Sequence, residues 1–173
     1  MRRPAQHVDA VPMVQSFDAF YRREWRPVVA LAAVLSGSRW AAQDLAQEAF
    51  SAAYEQWGRV GGYEHPEMWV RRVVANKSVS LIRRRVAEAR ARVRLGRVAP
   101  LEVLPDESEE VWEAVRRLPR RQGQAIALTY LDGLTVDEVA AVLECEPVTV
   151  KTHLQRGRAT LAKQFASPVR EMS

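Results

Sequence analysis

The chain has 173 residues, 47% of them hydrophobic, and a formal net charge of +5, which suits one ordinary domain or two small ones and argues against global disorder. The single cysteine, Cys145, excludes an intramolecular disulfide, and His7, His65 and His153 fit no metal-ligand spacing, so neither a metal nor a cofactor is expected. No apolar run approaches the ~20 residues of a membrane span and the opening residues lack a signal-peptide core, so a soluble cytoplasmic chain without membrane insertion is expected.

Residues 1–15 read as a flexible tail. Ser16 predicts the N-cap of a first helix that buries Phe17, Phe20, Tyr21, Val28, Leu31 and Leu35 and closes at Ser36-Gly37. Pro27 inside it predicts a kink or a division. Ser38 predicts a second cap, for a helix to about Trp57 with Ala41, Leu45, Ala49 and Ala52 inward. On its other side Asp44, Glu48, Ser51 and Glu55 recur at helical period. Such an acidic stripe suits a basic protein surface, or is an ordinary solvated face. "GRVGGYEHP" then breaks the pattern.

A third helix, about Glu67 to Arg85, is predicted to bury Trp69, Val70, Val73, Val74 and Leu81. Its Arg71, Arg72, Lys77, Arg83, Arg84 and Arg85 supply the cationic surface that single-stranded nucleic acid requires. Tyr63 in the preceding loop either stacks on a base or anchors the loop by packing. Trp25, Trp40, Trp57 and Trp69 are expected in the core.

Charge changes abruptly afterwards: seven arginines against Glu88 across 83–97, then only acidic charges from Glu102 to Glu113. Residues 87–109 read as a charged linker. The second half, 110–166, opens with "EEVWEAVRRL", apolar at Val111, Val115 and Leu118, followed by a helix through "RQGQAIALTYL". Thr135 and Glu138 have capping-box spacing before a helix burying Val136, Val139, Ala140 and Leu143. The tight turn "ECE" leads to "PVTVKTHLQRGRATL", where Pro147 suits the first turn and Val150, Leu154, Gly157 and Leu161 form one apolar stripe. The opposite side carries Thr149, Thr152, Gln155 and Arg156, flanked by Lys151, His153 and Arg158. A short helix, a tight turn and a polar-faced helix form a helix-turn-helix whose second helix fits a DNA major groove. Arg156 can reach guanine O6 and N7, and the threonines can meet phosphates or a thymine methyl. Residues 167–173 read as a C-terminal tail.

"AAQDLAQEAFSAAYEQW" with "WVRRVVANKSVSLIRRR" resembles region 2 of bacterial extracytoplasmic-function (group 4) sigma factors of the sigma-70 family, and "LPRRQGQAIALTYLDGLTVDEVAAVLECEPVTVKTHLQRGR" resembles their region 4. The resemblance implies an all-α fold of two small helical domains, 16–86 and 110–166. It implies that Asp44, Gln47 and Glu48 dock on the clamp helices of core RNA polymerase, whose flap is a further contact. It implies that Tyr63, Arg71, Arg72, Asn76, Lys77, Arg83 and Arg84 engage the melted −10 element. Duplex −35 DNA falls to Thr149, Lys151, Thr152, His153, Gln155, Arg156 and Arg158. Promoter DNA and an anti-sigma factor are the other partners it implies.

Three positions depart from the family pattern: Glu144 stands for the usual Gly in the turn, Glu146 for the usual Ser cap, and Ser80 for a usual Asp in the third helix. If residue 144 keeps a left-handed backbone, Glu there is strained. Cys145 is expected to be a small buried turn residue. No catalytic signature emerges, so the chain is not expected to be an enzyme. The alternative reading is a helix-turn-helix regulator that is not a polymerase subunit.

Overall fold

The structure, a computed structural model, describes residues 16–78 and 107–166. The tail expected over 1–15, Arg83, Arg84, Arg85 and Leu81 of the third helix, most of the linker, and the tail over 167–173 lie outside the described residues. Every regular element among the described residues is helical. In chain order these are α1 (Phe17–Ser36), α2 (Arg39–Glu55), the one-turn α3 (Trp57–Val60), α4 over residues 66–78, α5 (Glu107–Arg117), α6 (Arg120–Tyr130), α7 (Val136–Leu143) and α8 (Pro147–Phe165).

Both predicted serine caps form. Ser16 Oγ accepts from Ala19 N and Ser38 Oγ from Ala41 N, each at 3.3 Å, satisfying donors that a helix start otherwise leaves unpaired. Gly37 ends α1 in the left-handed region at φ 68°, its N–H donating to Ala33 O at 2.8 Å. Pro27 does not divide α1, which runs unbroken for 20 residues. Phe20 and Glu24 before it and Val28 and Leu31 after it are buried along one face, so packing keeps both halves in one helix despite the loss of one backbone hydrogen bond.

The second helix stops at Glu55 rather than Trp57, and Trp57 instead starts α3. There its ring lies 5.2 Å from Phe17 and 4.8 Å from Phe20. Trp25 and Trp69 pack half-buried on the core as expected, but Trp40 is 73% exposed. Its neighbours Ala41 and Ala42 take the inward side of α2, and the helical turn of ~100° per residue carries residue 40 outward. Val111 is also exposed rather than inward: Ala114, Val115 and Leu118 are the buried face of α5, with Trp112 packed beside them. Cys145 is half-buried.

Two close crossings fix the second half. A side chain at Gly123 would place Cβ 2.9 Å from Val115 O, and one at Gly157 would place it 3.1 Å from Ile126 Cγ1. α5 and α8 therefore both approach α6 closely. The two halves share one apolar core: Phe20, Leu31, Leu45, Phe50, Val70 and Val74 belong to the same buried cluster as Val115, Leu128, Val139 and Leu154. α5 and α6 lie against α1.

Candidate nucleic-acid and protein interfaces

α2 has a narrow inward stripe of Ala41, Ala42, Leu45, Ala46, Ala49 and Ala53. These small side chains let it lie along α1, leaving Asp44, Gln47, Glu48, Ser51 and Glu55 exposed on the opposite side. The three residues expected to meet a protein partner thus share one open face. Glu48 is already engaged within the chain: its Oε2 is 2.6 Å from Lys77 Nζ on α4.

The helix-turn-helix forms as the residues predict. Thr135 Oγ1 accepts from Glu138 N at 3.3 Å while Glu138 Oε2 accepts from Thr135 N at 2.7 Å, closing the capping box. The Thr135 N–H and hydroxyl hold the Glu138 carboxyl below its ordinary pKa, because both bonds favour the charged form. Glu144 follows α7 with φ 53° and ψ 51°, a left-handed backbone that costs a non-glycine residue roughly 1–2 kcal/mol. Glu146 is the N-cap of α8 without a side-chain capping bond, and Pro147 begins the helix.

α8 buries Val150, Leu154 and Gly157. Lys151, Gln155, Arg156 and Arg158 are exposed, and Thr149, Thr152 and His153 are half-buried at the edges. The seven residues expected to meet duplex DNA therefore share the outward side of one helix. Thr152 Oγ1 donates to Val148 O at 3.0 Å, and the Arg158 guanidinium lies 5.5 Å over the Tyr130 ring, a cation–π contact. Partial burial, then the positive charges of Arg121 and Arg156, hold His153 below its ordinary pKa. Its imidazole is accordingly neutral near pH 7.

α4 is arranged differently. Asn76 and Lys77 are exposed, and Tyr63 in the preceding loop is partly so, at 41%. Arg71 and Arg72 instead turn toward the second half of the chain. Arg71 Nε is 3.0 Å from Asp132 Oδ2, and its Nη1 is 3.0 Å from Glu24 Oε2, with side chains 8%, 3% and 10% exposed respectively. Arg72 Nη1 meets Glu144 Oε1 at 2.9 Å, and its Nη2 donates to Ala141 O at 2.7 Å. Gln124 Nε2 on α6 donates to Ala75 O of α4 at 2.6 Å.

One guanidinium serves two carboxylates in the Arg71 cluster. Burial lowers the Arg71 pKa, but Asp132 and Glu24 more than offset it and leave it above its ordinary value. Burial holds the Asp132 carboxyl above its ordinary value; Arg71 offsets this only in part and the Glu24 charge adds to it. The two balances differ: for Arg71 two anions outweigh the cost of burial, whereas for Asp132 the cost of burial outweighs the one cation it meets.

The structure thus brings together the α2 set and the α8 set, and divides the α4 set. Glu24, Gln124 and Asp132 escaped sequence reading, since nothing in their local sequence marks a distant partner. Glu144 did carry a signal, the acidic side chain at a glycine-type turn position, but its partner Arg72 was not legible. Among the described residues no group of three metal-ligating side chains occurs, and no helix is long and apolar enough to cross a membrane.

Residues 20–88 match the family model for sigma-70 region 2 and residues 108–161 the model for sigma-70, region 4. The chain is 28% identical over 140 residues to the ECF RNA polymerase sigma factor SigW of Bacillus subtilis, covering 72% of this chain and 75% of that one. It is 29% identical over 151 residues to the ECF RNA polymerase sigma factor SigM of Mycobacterium tuberculosis, covering 86% and 76%. Among solved structures, the fold is similar to that of the sigma factor RpoE in complex with the anti-sigma factor NepR from Bartonella quintana. That match has TM-score 0.67 and 21% identity, covering 88% of this chain and 98% of that one. It is also similar to CnrH in complex with the cytosolic domain of CnrY, with TM-score 0.66 and 23% identity, covering 88% and 89%.

Proposed function

We propose, from the premise that this chain belongs to the sigma-70 family and carries its regions 2 and 4, that it is an extracytoplasmic-function (group 4) sigma factor. In this reading it binds core RNA polymerase and directs promoter-specific initiation. The observation that carries the proposal is the presence, on one chain, of an open acidic face on α2 and an open polar face on α8.

Asp44, Gln47 and Glu48 dock on the clamp helices of polymerase, where charge-assisted pairs with basic side chains set register and orientation; the flap is a second contact. Lys77 must release Glu48 for this, or join it at the interface. α8 enters the major groove of the −35 element. Arg156 and Gln155 face base edges, and Lys151, Arg158 and the threonines lie along the backbone. Neutral His153 offers one ring nitrogen as a donor and the other as an acceptor. Asn76 and the loop leading into α4 at Pro66 receive the unpaired −10 strand, with Tyr63, Lys77, Arg71, Arg72, Arg83 and Arg84 along it. Holding bases that are exposed only in the melted state stabilises the opened promoter, offsetting an unpairing cost of a few kcal/mol. The polymerase performs the chemistry, and the chain works in the cytoplasm.

An anti-sigma factor is the further partner proposed, supported by a similar solved fold that is a sigma factor in complex with an anti-sigma factor. Run-off transcription with sigma-free core polymerase on a pool of genomic fragments tests the function. Start sites sharing one −35/−10 pair are expected. Binding of isolated DNA without polymerase binding would favour the non-subunit regulator instead.

A further inference from the structure

Arg71 and Arg72 are consecutive on α4, so their side chains leave the helix ~100° apart. Both nevertheless end on the second half of the chain. Arg71 reaches Asp132 in the turn before α7, with Glu24 of α1 completing its surroundings. Arg72 reaches the other end of α7, where it binds the carbonyl of Ala141 and the carboxylate of Glu144. The two arginines therefore grip the helix-turn-helix at both ends of its first helix. Glu144 holds its carboxylate there from a backbone at φ 53°, a conformation that glycine adopts without strain. The apolar core is continuous beneath these contacts.

This arrangement conflicts with promoter geometry. Elements centred near −35 and −10 lie about 25 base pairs apart, or roughly 85 Å of duplex at 3.4 Å per base pair. In the closed chain Arg72 of the −10 reader touches the turn that leads into α8, at 2.9 Å. The same guanidiniums are the ones that strand phosphates would need.

We propose that Arg71 and Arg72 form a two-pronged latch, on Asp132 and on Glu144 with the Ala141 carbonyl, that holds region 4 against region 2 in the free chain and is released when polymerase and the −10 strand replace those partners. The closed state is a property of the free chain alone; the exchange of carboxylates for phosphates rests on the sigma-factor reading. Region 4 is then unavailable for −35 DNA at its required distance until the latch opens.

The test is a spin-label distance measurement on the full chain. Cys145→Ala removes the native thiol, and Ala30→Cys on α1 and Lys163→Cys on α8, both exposed, carry the labels. The wild-type background is expected to give one short, narrow distance. Asp132→Asn should raise the open-to-closed ratio about tenfold or more, because it removes one partner of a buried pair. Glu144→Gln, at an exposed pair, should raise it about two- to fivefold. Charge reversal of both partners, Arg72→Glu with Glu144→Arg, should restore the closed distance that either single reversal loses. Circular dichroism identical to wild type excludes unfolding as the cause of any change.

A free chain already open, or a distance distribution unmoved by Asp132→Asn and Glu144→Gln, overturns the latch. Opening by Glu144→Gly but not by Glu144→Gln also overturns it, since backbone relief rather than the ion pair would then be responsible. Adding core polymerase with a forked −10 DNA should open the wild type. If it binds neither wild type nor variants while the free-chain distances behave as stated, the latch stands and the sigma-factor reading falls. If it binds and the wild type stays closed, the exchange is overturned.

Discussion

α4 and α8 look alike as text: each is a helix with an apolar stripe and a row of arginines, lysines and amides. In the folded chain they differ sharply. Among the described residues α8 presents Lys151, Gln155, Arg156 and Arg158 to solvent, whereas α4 presents Asn76 and Lys77, the latter paired with Glu48, and commits Arg71 and Arg72 to carboxylates. The difference lies in the neighbours. α8 buries three residues on one side, and among the described residues its arginines form no ion pair, while α4 faces Asp132 and Glu144 from a distant part of the sequence. Positive charge marks a helix that can meet phosphate; whether it is free to do so depends on the anions packed beside it.

The largest test of this contrast is Arg71→Ala. It leaves the buried Asp132 carboxylate without its cation and Glu24 with only the half-exposed Arg23, and the expected loss is about 3–5 kcal/mol of folding stability, read from urea unfolding. Arg156→Ala on α8 should leave that stability within about 0.5 kcal/mol. It should instead weaken binding to −35 duplex by about 1–3 kcal/mol, measured by titration at fixed salt.

The two left-handed residues at helix ends give a smaller and opposite pair of effects. Gly37→Ala strains φ 68° and also presses on Arg116 Cδ, 3.0 Å from the new Cβ, so stability should fall by about 1–2 kcal/mol. Glu144→Gly relieves a similar strain but forfeits an exposed ion pair worth at most about 1 kcal/mol. Thermal unfolding should therefore show no loss, and up to about 2 kcal/mol of gain.

The smallest effects are in pH dependence, where Asp132 and Glu138 have opposite signs. Asp132 binds its proton more tightly when folded. Its contribution is fully present below the ordinary carboxylate pKa and is lost as pH rises through the raised value. Glu138 binds its proton less tightly when folded; its contribution is present above the ordinary value and is lost as pH falls through the lowered one. Urea midpoints across the acidic range should show Asp132→Asn removing the first slope and Glu138→Gln the second. For His153, phosphate approaching a lowered imidazole pKa draws a proton onto it. Affinity for −35 duplex should thus rise modestly as pH falls below neutral, and His153→Gln should flatten that rise.

Much of this molecule is local and was legible in the sequence. The Ser16 and Ser38 caps, the Thr135–Glu138 capping box, the stripe Val150, Leu154 and Gly157, and the open faces of α2 and α8 depend on residues within a turn or two of each other. Short-range periodicity and hydrogen bonding decide them. The left-handed turn at Glu144 was suggested by the family resemblance, which puts Gly at that position. Other features depended on neighbours distant in sequence. Pro27 leaves α1 whole because buried residues on both sides hold it; Trp40 lies outward because Ala41 and Ala42 take the inward side of α2, and Val111 because Ala114, Val115 and Leu118 take that of α5. Arg71, Arg72, Glu24, Asp132 and Glu144 come together across up to 72 positions of chain. Ion-pair energy depends on separation in space and on burial rather than on spacing along the chain, so only the tertiary fold could decide which arginines were free.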